Sequence, residues 1–161
     1  MRGQKLKSLL LAGVAGGALI LTGAQAGADE IKKGGAMIVT YKDDVSTLDP
    51  AIGYDWQNWS MIKSLFDGLM DYEPGTTELK KDLAEDFSIS DDGTVYTFTL
   101  RKGVKFHNGR EMTAEDIKYS LDRVTNPKTQ SPGAGFFGSI KGFEEVEKTG
   151  SLSGVTVVDP Y

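Results

Sequence analysis

The stretch from Asp82 to Leu121 most constrains the fold, because two alternating segments and one helical segment follow each other there. The first alternating segment contains Phe87 and Ile89, and the second runs from Val95 to Leu100 after an Asp-Asp-Gly-Thr turn. Apolar residues at every second position on both sides of a tight Asp/Gly turn predict an antiparallel β-hairpin. We expect one face of the second strand to be buried, namely Tyr96, Phe98 and Leu100.

A capped helix follows the predicted hairpin. Gly103 and Gly109 mark two successive turns after the strand, because glycine accepts the positive φ that such turns need. Thr113, followed three residues later by Asp116, matches a capping box with Asp in place of the usual Glu. Proline disfavours a helical residue before it, so the helix is predicted to end ahead of Pro127. Its apolar stripe consists of Ile117, Leu121 and Val124.

Upstream of this stretch the pattern predicts one strand and one helix. Residues 36–41 form an apolar run with β-branched members, which is typical of a buried strand. A helix is predicted from Gln57 to about Gly68, with an apolar stripe of Ile62, Phe66 and Leu69. The Pro74-Gly75 pair beyond it marks a turn.

Downstream, residues 125–142 are rich in Gly, Pro and Ser but also carry aromatic side chains, so we expect an ordered loop. A short helix at 143–148 and a strand at 155–158 are predicted next. The sequence stops directly after a turn, where a partner strand would be expected, and this indicates a truncated polypeptide.

Residues 1–26 have the layout of a secretory signal peptide. Three basic residues precede the apolar run Leu9 to Leu21, and Ala24-Gln25-Ala26 offers the small residues that a signal peptidase accepts. A 13-residue helix spans only about 20 Å, which is short of a hydrocarbon core of roughly 30 Å. We therefore predict cleavage after Ala26, with Ala28 as the alternative, and export of the rest of the chain.

The charge and cysteine content narrow the compartment and the partners. Cleavage would remove Arg2, Lys5 and Lys7 from the 18 basic residues, leaving 15 against 23 acidic residues, a net charge of −8. Such a balance disfavours nucleic acid and anionic lipid as partners. The chain has no cysteine, which excludes disulfides, thiolate metal ligands and an acylated cysteine anchor within it. These features favour the periplasm of a Gram-negative cell.

The sequence contains no recognisable catalytic or metal-binding motif. His107 is the only histidine and falls in a predicted turn, so neither a metal centre nor a hydrolase triad can be built around it. The pair Asp91 and Asp92 offers the carboxylates that a secreted hydrolase would use, but adjacent acids at a turn point apart or towards solvent. We predict no catalytic residue, no bound metal and no cofactor.

Several motifs, in their order and spacing, resemble the bacterial extracellular solute-binding protein family 5, the periplasmic peptide- and nickel-binding components of ATP-binding-cassette (ABC) importers. The resemblance covers nearly all of the chain beyond the signal segment. The motifs are Leu48-Asp49-Pro50, Leu65-Phe66-Asp67-Gly68-Leu69, Leu83-Ala84-Glu85, the run from Asp92 to Gly109, Thr113-Ala114-Glu115-Asp116 and Asn126-Pro127.

The resemblance implies a mixed α/β fold (α+β) of the periplasmic-binding-protein type II kind, in the dipeptide/oligopeptide-binding subclass. Family members are several times longer, so only part of the first lobe and its accessory domain would be present. Residues 27–72 would start the first lobe, and 73–161 would form the accessory hairpin-plus-helix domain. The implied function is a monomeric receptor that closes on a peptide or similar small solute and delivers it to permease subunits in the inner membrane. A nickel chelate, an opine or a sugar remains an alternative ligand.

Two segments match places that line the cleft in peptide-binding members. The first holds Tyr54, Asp55 and Trp56, whose aromatic rings suit an apolar pocket with a polar edge. Asp55 has an alternative role as the N-cap of the following helix. The second segment holds Gly133 and Phe136; some oligopeptide binders have a ligand-contacting tyrosine where Gly133 stands. Phe136 could instead join Phe137 in a local hydrophobic anchor.

Overall fold

A computed structural model of the chain describes residues 34–161. The predicted signal segment, residues 1–26, lies outside the described residues. Within residues 39–161, which form one compact unit, three helices and four strands follow one another along the chain. They are α1 (Trp56–Ile62), β1 (Met70–Tyr72), β2 (Leu79–Lys81), β3 (Ala84–Ile89), β4 (Tyr96–Leu100), α2 (Ala114–Thr125) and α3 (Val146–Thr149).

The predicted hairpin is confirmed as the antiparallel pair β3 and β4. Phe87 pairs with Phe98 and Ile89 with Tyr96, and the rings of the two phenylalanines stack with their centroids 6.1 Å apart. The expected burial of the face is wrong at one end, since Leu100 is 3% exposed but Tyr96 is 58% exposed. Alternation fixes which side chains share a face, but burial also needs an element packed on that face.

The capped helix is confirmed as α2. Thr113 is its N-cap, and the Asp116 carboxylate accepts a hydrogen bond from the Thr113 backbone N–H at 2.9 Å. The helix ends at Thr125, where Asn126 turns to an extended conformation ahead of Pro127. The turns at Gly103 and Gly109 are also confirmed, with φ of 75° and 86°.

The segment after α2 is ordered by short turns of 3₁₀ helix at Pro127–Thr129, Ala134–Phe137 and Phe143–Glu145. The last of these continues into α3, which confirms the predicted short helix. Asp122 links α2 to the segment after α3. Its carboxylate accepts hydrogen bonds from Leu152 N at 2.7 Å and Ser151 Oγ at 2.9 Å. Leu152 is 1% exposed, so these hydrogen bonds lie beside a buried apolar side chain.

A second hairpin, formed by β1 and β2, was not predicted. Asp71 pairs with Lys80 across it, and the predicted Pro74-Gly75 turn connects the two strands, with Gly75 at a φ of 76°. The expected boundary between residues 72 and 73 falls in this connection. The division into a first lobe and an accessory domain stays a prediction.

The predictions of strands at 36–41 and 155–158 are wrong. Neither segment pairs with a strand among residues 34–161, where the two sheets contain only β1 with β2 and β3 with β4. Met37 and Ile38 are 84% and 92% exposed. A strand exists only where a neighbour accepts and donates its backbone hydrogen bonds, so an apolar extended run is not sufficient.

The predicted helix from Gln57 to Gly68 is shorter than expected. It ends at Ile62, whose carbonyl oxygen accepts hydrogen bonds from the N–H groups of both Leu65 and Phe66 in a closing turn. Ile62 is 8% exposed, whereas Phe66 is 49% exposed. Packing of an apolar face supplies most of the stability of a short helix, so the helix stops where its stripe ceases to be buried.

The buried apolar side chains come from α1 and the loop before it, from one end of the β3–β4 hairpin, from the turn before α2, and from α3 and the segment after it. They are Ala51, Ile62, Ala84, Leu100, Met112, Val146 and Leu152. Within residues 34–161, no helix combines the length and the apolar composition needed to cross a membrane.

Candidate functional site

A surface hollow of about 220 Å³ lies between the loop that precedes α1 and the turn at Ala134–Phe137. It brings together three of the five predicted site residues, Tyr54, Gly133 and Phe136, which come from segments almost 80 positions apart. The complete lining is Pro50, Ala51, Gly53, Tyr54, Trp59, Val124, Ser131, Gly133, Phe136 and Phe137.

Aromatic rings form most of one wall. The ring of Tyr54 stacks on Phe136, with centroids 6.1 Å apart and planes 26° apart. Trp59 meets the same tyrosine edge-on, with centroids 5.1 Å apart. Offset stacks and edge-to-face pairs at these separations are the favoured arrangements of aromatic rings. The three rings therefore hold one another in place at the rim.

The loop carrying Tyr54 is organised by Asp49. Its carbonyl oxygen accepts hydrogen bonds from Ile52 N at 3.1 Å and Gly53 N at 2.9 Å, and its carboxylate accepts one from Ala51 N at 3.0 Å. The same carboxylate forms a two-pronged ion pair with Arg123 of α2. The pair joins the two sides of the hollow, since Arg123 precedes the lining residue Val124.

The ion pair also sets the charge state of its acid. The hydrogen bond from the Arg123 guanidinium holds the pKa of Asp49 below its usual range, against the opposing effect of partial burial. The hydrogen bond from Ala51 N acts in the same direction. Asp49 therefore stays ionised through the neutral range, and its charge is matched by Arg123.

Asn58 of α1 fixes the loop from the other side. Its side chain is buried and donates to Ser46 Oγ at 2.8 Å and Asp55 Oδ2 at 2.7 Å, while its Oδ1 accepts from Ser46 N at 3.0 Å. Gly53 allows the close approach, because an added Cβ would lie 2.6 Å from Ile62 Cδ1. The loop is thus pressed against α1.

The other two predicted site residues do not line the hollow. Asp55 is the N-cap of α1, and its Oδ1 accepts a hydrogen bond from Asn58 N at 2.8 Å. The capping alternative for Asp55 is therefore confirmed. Trp56 is 82% exposed and touches the site only through Trp59, with ring centroids 6.2 Å apart.

The sequence analysis did not identify three residues that form or support the hollow. Trp59 and Val124 line the hollow, and Arg123 fixes its geometry. Trp59 lies one helical turn after Asp55. An aromatic residue in the first turn of a helix that follows a candidate ligand-binding loop is a sequence signal that could have identified it. A single sequence holds no signal for the ion pair of Asp49 with Arg123, because its partners are 74 positions apart.

The remaining polar candidates have ordinary structural roles. Asp92 accepts hydrogen bonds from Ser90 Oγ at 2.5 Å and Thr94 N at 3.1 Å, and these bonds lower its pKa. It is therefore engaged in the β3–β4 turn. His107 is exposed in a turn, and residues 34–161 contain no group of three or more His, Cys, Asp or Glu placed to hold a metal ion.

The chain is similar to known bacterial solute-binding proteins in both sequence and fold. A family model described as bacterial extracellular solute-binding proteins, family 5 Middle, matches residues 78–161. The glutathione-binding protein GsiB of Salmonella choleraesuis (strain SC-B67) is 38% identical over 91 residues, covering 56% of this chain and 18% of that protein.

Solved structures agree on the fold. The murein tripeptide binding protein MppA of Escherichia coli matches with a TM-score of 0.68 and 32% identity, over 75% of this chain and 24% of that one. The substrate-binding domain of an oligopeptide ABC transporter from Bacillus anthracis matches with a TM-score of 0.70 and 29% identity, over 76% and 24%. The predicted mixed α/β fold of the oligopeptide-binding type is confirmed. The chain spans about a quarter or less of the length of these proteins.

Proposed function

Because this chain belongs to the bacterial extracellular solute-binding proteins, family 5, we propose that it supplies one wall of the ligand cleft in a solute receptor of an ABC importer. The observation that carries the proposal is the meeting of Tyr54, Gly133 and Phe136 at one exposed hollow. Aromatic side chains on an open rim are suited to ligand contact, since they offer large rigid area with little entropy to lose.

The proposed ligand is a short peptide. Two of the proteins to which the chain is similar are described as binding glutathione and a murein tripeptide, and glutathione is itself a tripeptide. A peptide held by its backbone leaves its side chains to pockets such as the hollow beside Gly133. Tyr54, Trp56 and Phe136 would contact it from this wall, while Asp55 would keep α1 and its tryptophans in place.

The receptor would work by closure of two lobes. A ligand shifts the balance between open and closed forms only by the extra contacts that it makes in the closed form. The wall described here is already held by the Asp49–Arg123 pair and by Asn58. The second lobe would therefore close on a preformed surface.

The receptor would be exported by the signal segment at residues 1–26 and would act in the periplasm as a monomer. Its partners would be the solute and the permease subunits in the inner membrane, with neither nucleic acid nor a cofactor involved. It would bind and release its ligand unchanged, so it would not be an enzyme.

Mass spectrometry of the small molecule that co-purifies with the full-length protein would test the proposal. We expect a short peptide, and we expect it to change tryptophan fluorescence on titration and to be recovered intact. Trp59→Phe and Trp56→Phe should each reduce the fluorescence change, and Trp59→Phe should reduce it more, because Trp59 lines the hollow whereas Trp56 reaches it only through the Trp59 ring. Recovery of a nickel chelate, an opine or a sugar would replace the peptide by another ligand class, and turnover of the bound compound would overturn the receptor proposal.

A further inference from the structure

The hollow beside Gly133 is lined without a single charged side chain. Its ten lining residues are apolar, aromatic or glycine except for Ser131, whose hydroxyl already accepts a hydrogen bond from Gly133 N at 3.2 Å. Three charged residues adjoin lining residues in the sequence: Asp49 and Arg123 pair with each other, and Asp55 caps α1 by accepting a hydrogen bond from Asn58 N at 2.8 Å. A charged ligand group would lose its hydration here and find no counterion, which is costly.

The size of the hollow suits a ring. Its volume is about 220 Å³, whereas a cavity of about 150 Å³ is enough to hold benzene. Tyr54, Trp59 and Phe136 present ring faces and edges at its rim. A further ring entering the hollow would find the stacked and edge-on partners that aromatic groups favour.

Gly133 is the reason that this space is open. A Cβ added there would lie 3.8 Å from Phe136 Cδ2 and 3.9 Å from Tyr54 Cε2, which are ordinary contact distances. Any larger side chain would extend from that point into the space between the two rings. The backbone at Gly133 has φ −93° and ψ −2°, a conformation that other residues adopt, so the glycine is not needed for the turn.

We propose that this hollow is a specificity subsite for an aromatic side chain of the bound peptide, and that the absence of a side chain at Gly133 creates it. The inference rests on the proposed peptide-receptor function and adds the class of ligand that the receptor prefers. A benzyl group would enter beside Gly133 and stack against Tyr54 and Phe136. Acidic and basic side chains at the same ligand position would be rejected.

Calorimetric titration of the full-length protein with trialanine and with its three single-phenylalanine variants tests this subsite. At least one of Phe-Ala-Ala, Ala-Phe-Ala and Ala-Ala-Phe should bind about tenfold or more tightly than trialanine, as expected from burial of a phenyl ring. Replacing that phenylalanine by glutamate should abolish the gain.

Variants at two glycines of the same turn separate the subsite from general effects. Gly133→Leu should fill the hollow and bring the affinity for the phenylalanine peptide to within about twofold of that for trialanine. Gly133→Ala, which adds only a Cβ at ordinary contact distances, should reduce the preference in part. Gly135→Leu is the control, because a Cβ at Gly135 meets no atom within 4 Å, and it should keep the full preference.

The titrations test the aromatic subsite and the peptide-receptor function separately. Equal affinity of the wild type for all four peptides, or a preference that survives in Gly133→Leu, would overturn the aromatic subsite and leave the peptide receptor standing. Failure of every peptide to bind a protein that still unfolds cooperatively would overturn the peptide receptor and the subsite with it.

Discussion

Arg123 and Asp49 are 74 positions apart in the sequence and form a two-pronged ion pair that joins α2 to the loop carrying Tyr54. The Arg123 Nη1 to Asp49 Oδ1 distance is 2.8 Å. A guanidinium fork matches the two oxygens of a carboxylate in both direction and spacing. The pair therefore fixes an orientation as well as a distance between the two sides of the hollow.

Replacing Arg123 by lysine should cost the protein about 1 kcal/mol of stability, because a single ammonium group cannot make both hydrogen bonds. The side chains of Arg123 and Asp49 are 34% and 26% exposed, so solvent screening limits the loss. The midpoint of urea unfolding of the full-length protein measures it. Lys128→Gln, at an exposed position just beyond α2, serves as the control, and equal midpoints for the two variants would contradict the role of the fork.

The same pair predicts a dependence on pH. The hydrogen bond from Arg123 lowers the pKa of Asp49 in the folded protein. A carboxylate of this kind stabilises the fold above its unfolded pKa of about 3.9, and the stabilisation is lost as the pH falls through the lower folded pKa. The stability advantage of the wild type over Asp49→Asn should therefore be constant in the neutral range and shrink below about pH 4. Unfolding curves at several pH values would show it, and an advantage that persists at the lowest pH would refute it.

Asn58→Ala should destabilise the loop before α1 and weaken ligand binding together. Asn58 is 1% exposed, and its loss would leave Ser46 N and one oxygen of Asp55 without their partner, at a cost of roughly 1–3 kcal/mol. Thermal unfolding and peptide titration would measure the two effects. Gln57→Ala on the same helix removes a hydrogen bond of 2.8 Å to Asp43 at an exposed site, so it should change both little.

Local sequence signals accounted for the hairpin β3–β4 and for α2. The turn after Ile89, the alternation up to Leu100 and the pairing of Thr113 with Asp116 each lie within a few residues, so a single sequence contains all the information. The motifs that indicate the family come from the same stretches. This is why the fold class was predictable from a chain that spans about a quarter or less of its relatives.

The features that the sequence did not predict depend on contacts between distant segments. The strand predicted at 36–41 failed because no described strand pairs with it, and pairing is not encoded in one apolar run. The family resemblance assigned the segment with Tyr54 and the segment with Gly133 and Phe136 to a ligand cleft. The Asp49–Arg123 pair, which joins the two sides of the hollow, leaves no signal in a single sequence. Trp59 falls within the helix predicted from Gln57, and the structure places its ring at the hollow.

The cap of α2 should depend more on Asp116 than on Thr113. Asp116 accepts the Thr113 N–H at 2.9 Å and pairs with Arg110 at 2.7 Å, whereas the Thr113 hydroxyl lies 3.4 Å from the same carboxylate. We expect Thr113→Ala to cost about 1 kcal/mol, as for other N-caps, and Asp116→Ala to cost more. Urea midpoints would rank the two, with Ser120→Ala on the exposed face of α2 as the control. An unchanged midpoint for Asp116→Ala would mean that the cap contributes no stability.

Leu100→Ala and Tyr96→Ala should have very different effects, although both residues lie on one face of β4. Leu100 is 3% exposed, so its truncation leaves a cavity and should cost about 2–5 kcal/mol. Tyr96 is 58% exposed and pairs only with the similarly open Ile89, so its truncation removes little buried area and should cost well under about 1 kcal/mol. Thermal unfolding of the full-length protein compares the two variants under one condition. A loss at Tyr96 equal to that at Leu100 would show that the far end of the hairpin is covered in the folded protein, and burial along β4 would then be uniform.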